Sequence, residues 1–351
     1  MVTACSSSRK CSLSFSELDL YWMRKALREA KNGKGKTAPN PMVGALIVGN
    51  NDLLSLGYHH AAGAPHAEME ALNNLRNPRE AHGATLYVTL EPCSTTGRTP
   101  PCTEAIIQAG IARVVYGCED PNPLHRGVAA QILREAGIEV SRGVLSKECE
   151  KLNIYWNHRM RTGLPWVIGK CGRSLDGRLS SHPKQRWITS ERSRQHAMRL
   201  RSQVEAILLG GATVRIDNPH LTLRPPLALQ PWRFIWSPSG NIPPDAHVLT
   251  DEYHHRTKIL REPSFPKVIA YLGALGISSV LIEGGGYTLG EAFDHHLIDE
   301  VFFYQAPILQ GGAVLAIAGQ GIPWGVELDN VSYRQLGDDL LISGLVKKPL
   351  R

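Results

Sequence analysis

The chain of 351 residues lacks several features whose presence would decide its class. It has no run of 18 or more apolar residues, so no transmembrane helix and no membrane partner are expected. Met1 to Phe15 is rich in Ser and Cys and has no long apolar stretch of the secretory kind, which predicts a frayed extension on a cytoplasmic protein. Internal repeats and low-complexity tracts are absent. No G-x-G-x-x-G follows a predicted strand, which argues against an ordinary Rossmann dinucleotide site. Extremes of composition are missing too: hydrophobic residues make up 42% and charged residues 20%, which excludes disordered, collagen-like and disulfide-dense chains.

What is present points to two domains, at roughly 100–200 residues each. A chain this long buries about three quarters of its unfolded surface and needs no disulfide staple. Its seven cysteines are an odd number without a signal peptide, which favours thiols or metal ligation over a disulfide framework. The formal net charge is +7, but its placement says more. Between Arg159 and Arg201 stand eleven Lys or Arg residues against Asp176 and Glu191, a local excess larger than that of the whole chain. Nucleic acid and small phosphorylated ligands are both suitable partners for such a stretch.

Apolar spacing predicts a helix over 16–32 capped by Ser16, then strands over 42–48 and 53–58 around a turn at Gly49-Asn50-Asn51-Asp52. A helix over 65–75, a strand over 85–90 and a continuing alternation of helix and strand follow, which predicts a three-layer α/β domain over 16–145. Residues 146–165 read as a linking helix and a restart at Gly163-Leu164-Pro165. A second α/β domain over 166–351 has predicted strands at 166–171, 206–209, 280–282, 301–304 and 340–346, with a helix over 190–201. The stretch 219–266 reads as proline and turn residues.

One motif carries chemistry by its spacing. His66-Ala67-Glu68 opens a predicted helix, Pro92-Cys93 follows a strand, and Cys102 comes nine positions later. One imidazole and two thiolates form a three-ligand zinc set that leaves the fourth tetrahedral position to water, whose pKa then falls to about 7. Glu68 lies too close in sequence to be an ordinary fourth ligand but can reach that water as a proton carrier, the arrangement of a zinc deaminase. A closed structural site would need a fourth ligand, for which His59, His60 or Cys118 are available.

Thr89-Leu90-Glu91-Pro92-Cys93 and Gly97-Arg98-Thr99-Pro100-Pro101-Cys102, with Asn40-Pro41-Met42-Val43-Gly44, Gly57-Tyr58-His59 and Asp120-Pro121-Asn122-Pro123, resemble the deaminase half of the bifunctional riboflavin-biosynthesis deaminase/reductase family. The eight-residue gap between the cysteines separates this pattern from cytidine and tRNA adenosine deaminases. The resemblance implies a cytidine-deaminase-like fold, with Asn40, His59, Arg98, Asp120 and Asn122 lining a substrate pocket. Thr95-Thr96, Glu70 and Ala129 depart from the family's usual residues.

The C-terminal half adds Val280-Leu281-Ile282-Glu283-Gly284-Gly285-Gly286, a glycine-rich turn between strand and helix of the kind that exposes N–H groups to a phosphate. Lys170 to Gly177, Trp187-Ile188-Thr189, Gly211 to Pro219 and Leu221 to Arg224 resemble the reductase half of the same family, so the likeness spans residues 18–346. It implies a dihydrofolate-reductase-like domain that binds NADPH through Gly172, Trp187, Thr213, Asp217 and the run Gly285, Gly286, Tyr287, Thr288, Leu289, Gly290 and Glu291. Gln185, Arg201, Leu221, Arg224 and Glu283 would hold the substrate. The loop 182–186 and Ile235-Trp236-Ser237-Pro238 depart from the family pattern, and Gln185 stands where Ser is usual.

The resemblance therefore implies a bifunctional α/β enzyme. Zn²⁺ and Glu68 would support hydrolytic deamination of 2,5-diamino-6-(5-phosphoribosylamino)pyrimidin-4-one, and NADPH would then reduce the ribosyl group to ribityl. Its partner would be this small phosphorylated pyrimidine, without nucleic acid, in a homo-oligomer. Lys170 and Asp217 are the polar candidates for the reductase proton. Two rival readings are an RNA-binding base deaminase and a deaminase with a non-catalytic second domain.

Overall fold

The computed structural model describes residues 15–95, 100–123, 125–179, 187–224, 229–322 and 325–348. These form two compact units, one from the described residues of Met1–Gly33 and Met42–Asn153, the other from Lys34–Pro41 and Ile154–Arg351. No helix among the described residues is long and apolar enough to cross a membrane.

The first unit begins with α1 (Glu17–Ala30), whose start is held by Ser16 Oγ accepting from Asp19 N at 3.0 Å. Five strands follow in chain order: β1 (Gly44–Gly49), β2 (Asp52–Tyr58), β3 (Thr85–Leu90), β4 (Arg113–Cys118) and β5 (Glu139–Arg142). They lie in the order β2-β1-β3-β4-β5, antiparallel across β1 and parallel from β3 to β5. Asn50 and Asn51, both with positive φ, make the two-residue turn that joins β1 to β2. Between and after the strands run α2 (Ala67–Asn73), α3 (Cys102–Gln108), α4 (Val128–Glu135) and α5 (Ser146–Leu152).

Two glycines set the layering. A Cβ on Gly44 would lie 2.3 Å from Ala26 O of α1, and one on Gly57 would lie 2.4 Å from Ala71 N of α2. Gly57 pairs with Ala45, the neighbour of Gly44, so the two glycines face opposite sides of the sheet. Each admits one helix at close range, which gives the predicted three layers. Buried Asp19 ties α1 to the sheet by accepting from Tyr87 Oη at 2.8 Å and from Arg113 Nη1 at 2.8 Å.

The second unit starts with α6 (Ile154–Thr162), so the single linking helix expected over 146–161 is two helices. Asn153 between them is buried and bonds Met42 in both directions: Met42 N donates to its Oδ1 and its Nδ2 donates to Met42 O, each at 2.8 Å. That side chain substitutes for a strand partner and takes Asn153 out of helical geometry, with φ −117° and ψ 33°.

Its sheet comprises β6 (Trp166–Arg173), β7 (Ala206–Gly210), β8 (Trp232–Trp236), β9 (Thr257–Leu260), β10 (Ser279–Glu283), β11 (Glu300–Gln305), β12 (Leu328–Leu336) and β13 (Asp339–Val346). The order is β12-β13-β11-β6-β10-β7-β8-β9, parallel from β11 to β9, with β13 and β12 antiparallel at one edge. The helices are α7 (Glu191–Arg201), α8 (Gly211–Asp217), α9 (His247–Thr250), α10 (Phe265–Ala274) and α11 (Gly286–Asp294). Central β7 and β10 are buried along their whole length, as parallel strands covered on both faces must be.

Two strands, β8 and β9, lie inside the stretch that reads as turns. Arg233 conceals β8 in the sequence, because a cation is not expected in a central strand. In the fold it is almost fully buried and neutralised by Asp251, with contacts of 2.6 and 2.8 Å, while His220 O accepts from Nη1 and Val248 O from Nη2. Edge strand β12 was also unexpected: seven of its nine residues are exposed, so it carries no apolar alternation.

Candidate active sites

In the first unit, three chain segments bring the proposed ligands together. His66 is the residue immediately before α2, Cys93 follows β3 through Pro92, and Cys102 is the first residue of α3. Their ligating atoms all lie within 4.8 Å of one another, with His66 Nδ1 at 3.4 Å from Cys93 Sγ and 3.3 Å from Cys102 Sγ. Cys102 N also donates to Cys93 Sγ at 3.2 Å. Contact with Cys102 pulls the Cys93 thiol down to about 4, against the effect of burial and with help from His66, and the same contact pushes Cys102 up, towards keeping its proton. A divalent cation at their centre would displace that proton, so the donor set fits zinc.

Glu68 is buried in the first turn of α2. Burial, and then the negative charge of Cys93, pushes its carboxyl up to about 7. His59 is also buried; its ring stands edge-on to that of His66 at 5.5 Å, and its Nδ1 lies 3.0 Å from Pro65 O. Donation to that carbonyl puts the proton on Nδ1 and makes Nε2 an acceptor. Burial, the leading cause, lowers its pKa and favours this neutral form.

Asp120 and Asn122 lie on the loop between β4 and α4, where Asp120 Oδ1 accepts from Asn122 N at 2.8 Å. Glu91, which had been given no role, closes this loop: its Oε2 accepts from Asp120 N at 3.2 Å and from Gly127 N at 3.0 Å. Its other oxygen, Oε1, is buried without a hydrogen-bond partner among the described residues. A charged residue directly after a buried strand was the available signal. Asn40 lies in the 34–41 segment, which clusters with the second unit, and its N donates to Thr37 O at 2.8 Å. Arg98 lies outside the described residues.

In the second unit the candidate residues gather at the C-terminal ends of parallel strands, where open α/β sheets bind ligands. Glu283 ends β10 beside Lys170 of β6, its partner in register. Arg201, the last residue of α7, grips the Glu283 carboxylate with two nitrogens, Nη2 to Oε2 being 2.8 Å, and Lys170 Nζ lies 3.6 Å from the same oxygen. Burial opposes the charge on Glu283, but Arg201 and then Lys170 outweigh it and hold the carboxyl down to about 2. Leu221 is buried with φ 58°, an uncommon conformation for a leucine, while Arg224 is exposed. Gln185 and the rest of 182–186 lie outside the described residues.

The glycine turn divides its work. Gly284 and Gly285 have φ 82° and 78°, and nothing lies within 4 Å of where a Cβ on Gly284 would stand. A Cβ on Gly285 would meet Thr213 Oγ1 at 3.0 Å and Thr288 Oγ1 at 3.5 Å, so two hydroxyls and an open backbone converge there. That cradle suits a phosphate-bearing cofactor. By contrast, a Cβ on Gly286 would strike Leu315 O at 2.0 Å and one on Gly290 would strike Ala318 O at 2.3 Å, and Leu289 lies in the core. Those three positions pack the helix against its surroundings. Glu291 pairs with His295 at 3.7 Å, and Asp217 is exposed at the end of α8. Gly172 abuts Thr189, and Trp187 is exposed with the Arg194 guanidinium 4.9 Å above its ring.

Known proteins match both units. The family model of the cytidine and deoxycytidylate deaminase zinc-binding region matches residues 16–118, and that of the RibD C-terminal domain matches residues 165–342. The riboflavin biosynthesis protein RibD of Bacillus amyloliquefaciens is 38% identical over 94% of this chain and 97% of its own length. RibD of Escherichia coli is 37% identical over 84% of this chain and 89% of its own. Among solved structures, Acinetobacter baumannii RibD superposes with a TM-score of 0.86 at 35% identity, covering 95% of this chain and 100% of that one. A Thermotoga maritima protein described as a diaminohydroxyphosphoribosylaminopyrimidine deaminase and 5-amino-6-(5-phosphoribosylamino)uracil reductase gives 0.82 at 32% identity, covering 94% and 99%.

Proposed function

The chain belongs to the RibD family of bifunctional riboflavin-biosynthesis enzymes, and from that premise we propose how its own residues divide the two reactions. It is a zinc-dependent deaminase and an NADPH-dependent reductase acting on a small pyrimidine. The observation that carries the deaminase assignment is the His66, Cys93, Cys102 triangle with buried Glu68 two residues after His66.

His66, Cys93 and Cys102 would hold the zinc, which would supply a water of lowered pKa. Glu68 takes a proton from the water and delivers it to the departing amino group as the ring C–N bond breaks. Water adds, ammonia leaves, and Glu68 ends as it began. His59, Asp120 and Asn122 orient the phosphoribosylamino-pyrimidine, the last two on the loop that Glu91 closes.

In the second unit, the rim made by Thr213, Gly285 and Thr288 would hold NADPH, which would supply a hydride. The Arg201–Glu283–Lys170 cluster holds the ribosyl end of the substrate. The ribosyl carbon would accept that hydride as its bond to the ring oxygen breaks, and the freed oxygen would take a proton. Lys170 is the donor favoured by geometry, because it sits against Glu283, whereas Asp217 is exposed at a helix end. Purified zinc-loaded protein given the diamino substrate should release ammonia first and then oxidise one NADPH per ammonia. Ammonia without NADPH oxidation would overturn the reductase assignment, and NADPH oxidation only after added pre-deaminated substrate would overturn the deaminase one.

A further inference from the structure

The loop that follows α8 carries two left-handed residues three positions apart. Asn218, directly after the helix, has φ 39°, and Leu221 has φ 58°. Asparagine takes that conformation readily and leucine seldom, so a leucine keeps it only where its surroundings over-determine it. Leu221 is also buried, in the apolar cluster that contains Ile168, Leu200 and Leu281. Those three stand one or two positions before Lys170, Arg201 and Glu283. The loop 218–224 therefore shares its core with the cluster that holds the ribosyl end of the substrate.

A clamp from α9 holds the residues before Leu221. His247, the first residue of α9, donates its backbone N–H to Asn218 Oδ1 at 2.8 Å. Its Nδ1 lies 2.8 Å from Asn218 O, an acceptor that places the ring proton on Nδ1. The His247 ring lies flat on that of His220, with centroids 4.0 Å apart and planes 8° from parallel. Its helix is rooted in the core through buried Val248, whose O accepts from Arg233 Nη2 at 3.1 Å and from Thr257 Oγ1 at 2.8 Å. Arg233 Nη1 also reaches His220 O at 2.9 Å, so one buried cation grips both the loop and α9. After Leu221, Leu223 N donates to Gln230 Oε1 at 2.8 Å. His247 itself is exposed, so its side chain contributes the clamp and not core packing.

We infer that His247 is a positioning residue for the reduction: by clamping Asn218 and His220 it holds Leu221 in its left-handed conformation, and with it the wall of the site that receives the ribosyl end of the substrate. This rests on the reading that the Arg201–Glu283–Lys170 cluster holds that end. Without the clamp the loop divides its time between this conformation and relaxed ones. Only the competent fraction binds, so the apparent affinity falls by that fraction while the bound complex reacts as before. The cofactor rim at Thr213, Gly285 and Thr288 lies outside the clamped residues and keeps its geometry.

The test is steady-state reduction of pre-deaminated substrate by the full zinc-loaded chain. His247→Ala should raise the KM for the pyrimidine about tenfold, with kcat and the KM for NADPH within about twofold of wild type. His247→Asn keeps a donor near the place of Nδ1 without the ring, and His247→Phe keeps the ring without the donor. Each should recover part of the loss. Asn218→Gly keeps the left-handed backbone but removes the Oδ1 acceptor, and should raise the same KM by a smaller factor. An unchanged pyrimidine KM in His247→Ala, or a fall in kcat alone, overturns the positioning role. Equal rises in both KM values would make His247 a general support of the unit and overturn it as well. Arg201→Ala checks the underlying reading separately: if it leaves the pyrimidine KM unchanged, the cluster does not hold the substrate and the inference falls with that reading.

Discussion

The two units solve the same problem, placing charged groups where water is excluded, by different means. In the first, the reacting groups come from three junctions of strand or loop with helix, and His66 and Glu68 are two residues apart on one short element. Ligand spacing along the chain nearly determines the site, because a zinc triangle tolerates little variation. In the second, Lys170, Arg201 and Glu283 come from β6, α7 and β10, and only the parallel register of the sheet brings them together. A local site is readable as a motif; a distributed one is a property of the sheet.

The largest expected effect separates chemistry from metal binding in the first unit. Glu68→Gln should lower ammonia release by about 10²–10⁴-fold. Zinc stoichiometry, read by elemental analysis, and reduction of pre-deaminated substrate should both be retained. Loss of zinc from this variant would make Glu68 structural. Stripping zinc with a chelator should likewise silence only the deaminase, which sharpens the contrast between the units.

A second perturbation tests whether the distributed site depends on its buried scaffold. Asp251→Ala leaves the Arg233 cation unpaired inside β8 and should destabilise the second unit by about 3–5 kcal/mol. Differential scanning calorimetry would show an early transition for that unit, with the deaminase transition unmoved. An unchanged scan would mean that Arg233 is satisfied by the carbonyls of His220 and Val248 alone.

Smaller effects follow from Glu91, whose one oxygen holds both ends of the loop bearing Asp120 and Asn122. Glu91→Ala should raise the KM of deamination by about tenfold, the loss expected for hydrogen bonds to a charged group, with zinc retained. Glu91→Gln keeps an acceptor and should recover most of the loss; equal defects in both variants would point to a role for the charge itself.

The smallest effect is on acid stability. Burial opposes the charge of Asp19, yet hydrogen bonds from Arg113, Ser16 and Tyr87 keep its carboxyl below the ordinary 3.8. A group depressed on folding stabilises the fold above its unfolded value and loses that contribution as pH falls through the lower folded value. The first unit should therefore lose stability below about pH 4, and Asp19→Asn should flatten that part of its pH profile. An unaltered profile would show that other carboxylates control the acid limb.

Legibility followed the same division. The predicted hairpin, the helices over 16–32 and 65–75 and the alternating core of the first unit correspond to α1, β1, β2 and α2 because each has a local signal: a Ser cap, an Asn-Asn turn, an apolar period. Strand β8 escaped because a buried Arg interrupts its apolar run, and β12 because an exposed edge needs no alternation. Glu91 escaped because its partners are backbone N–H groups about thirty residues onward, and a backbone donor leaves no mark in a sequence. The glycine turn was legible as a turn. That Gly285 faces two hydroxyls while Gly286 and Gly290 face packed carbonyls required the positions of strands and loops far along the chain.

By itself, then, the order of residues marked out His66, Cys93, Cys102 and Glu68 as one candidate group and determined the alternation of helix and strand, since both are carried by short motifs and by the fixed geometry of the backbone. Tertiary structure alone decided the Arg201–Glu283–Lys170 cluster, the closure of the 119–127 loop by Glu91 and the clamp of His247 on Asn218. Those contacts join residues tens of positions apart, and their distances are set by strand register and close packing, which no local spacing encodes.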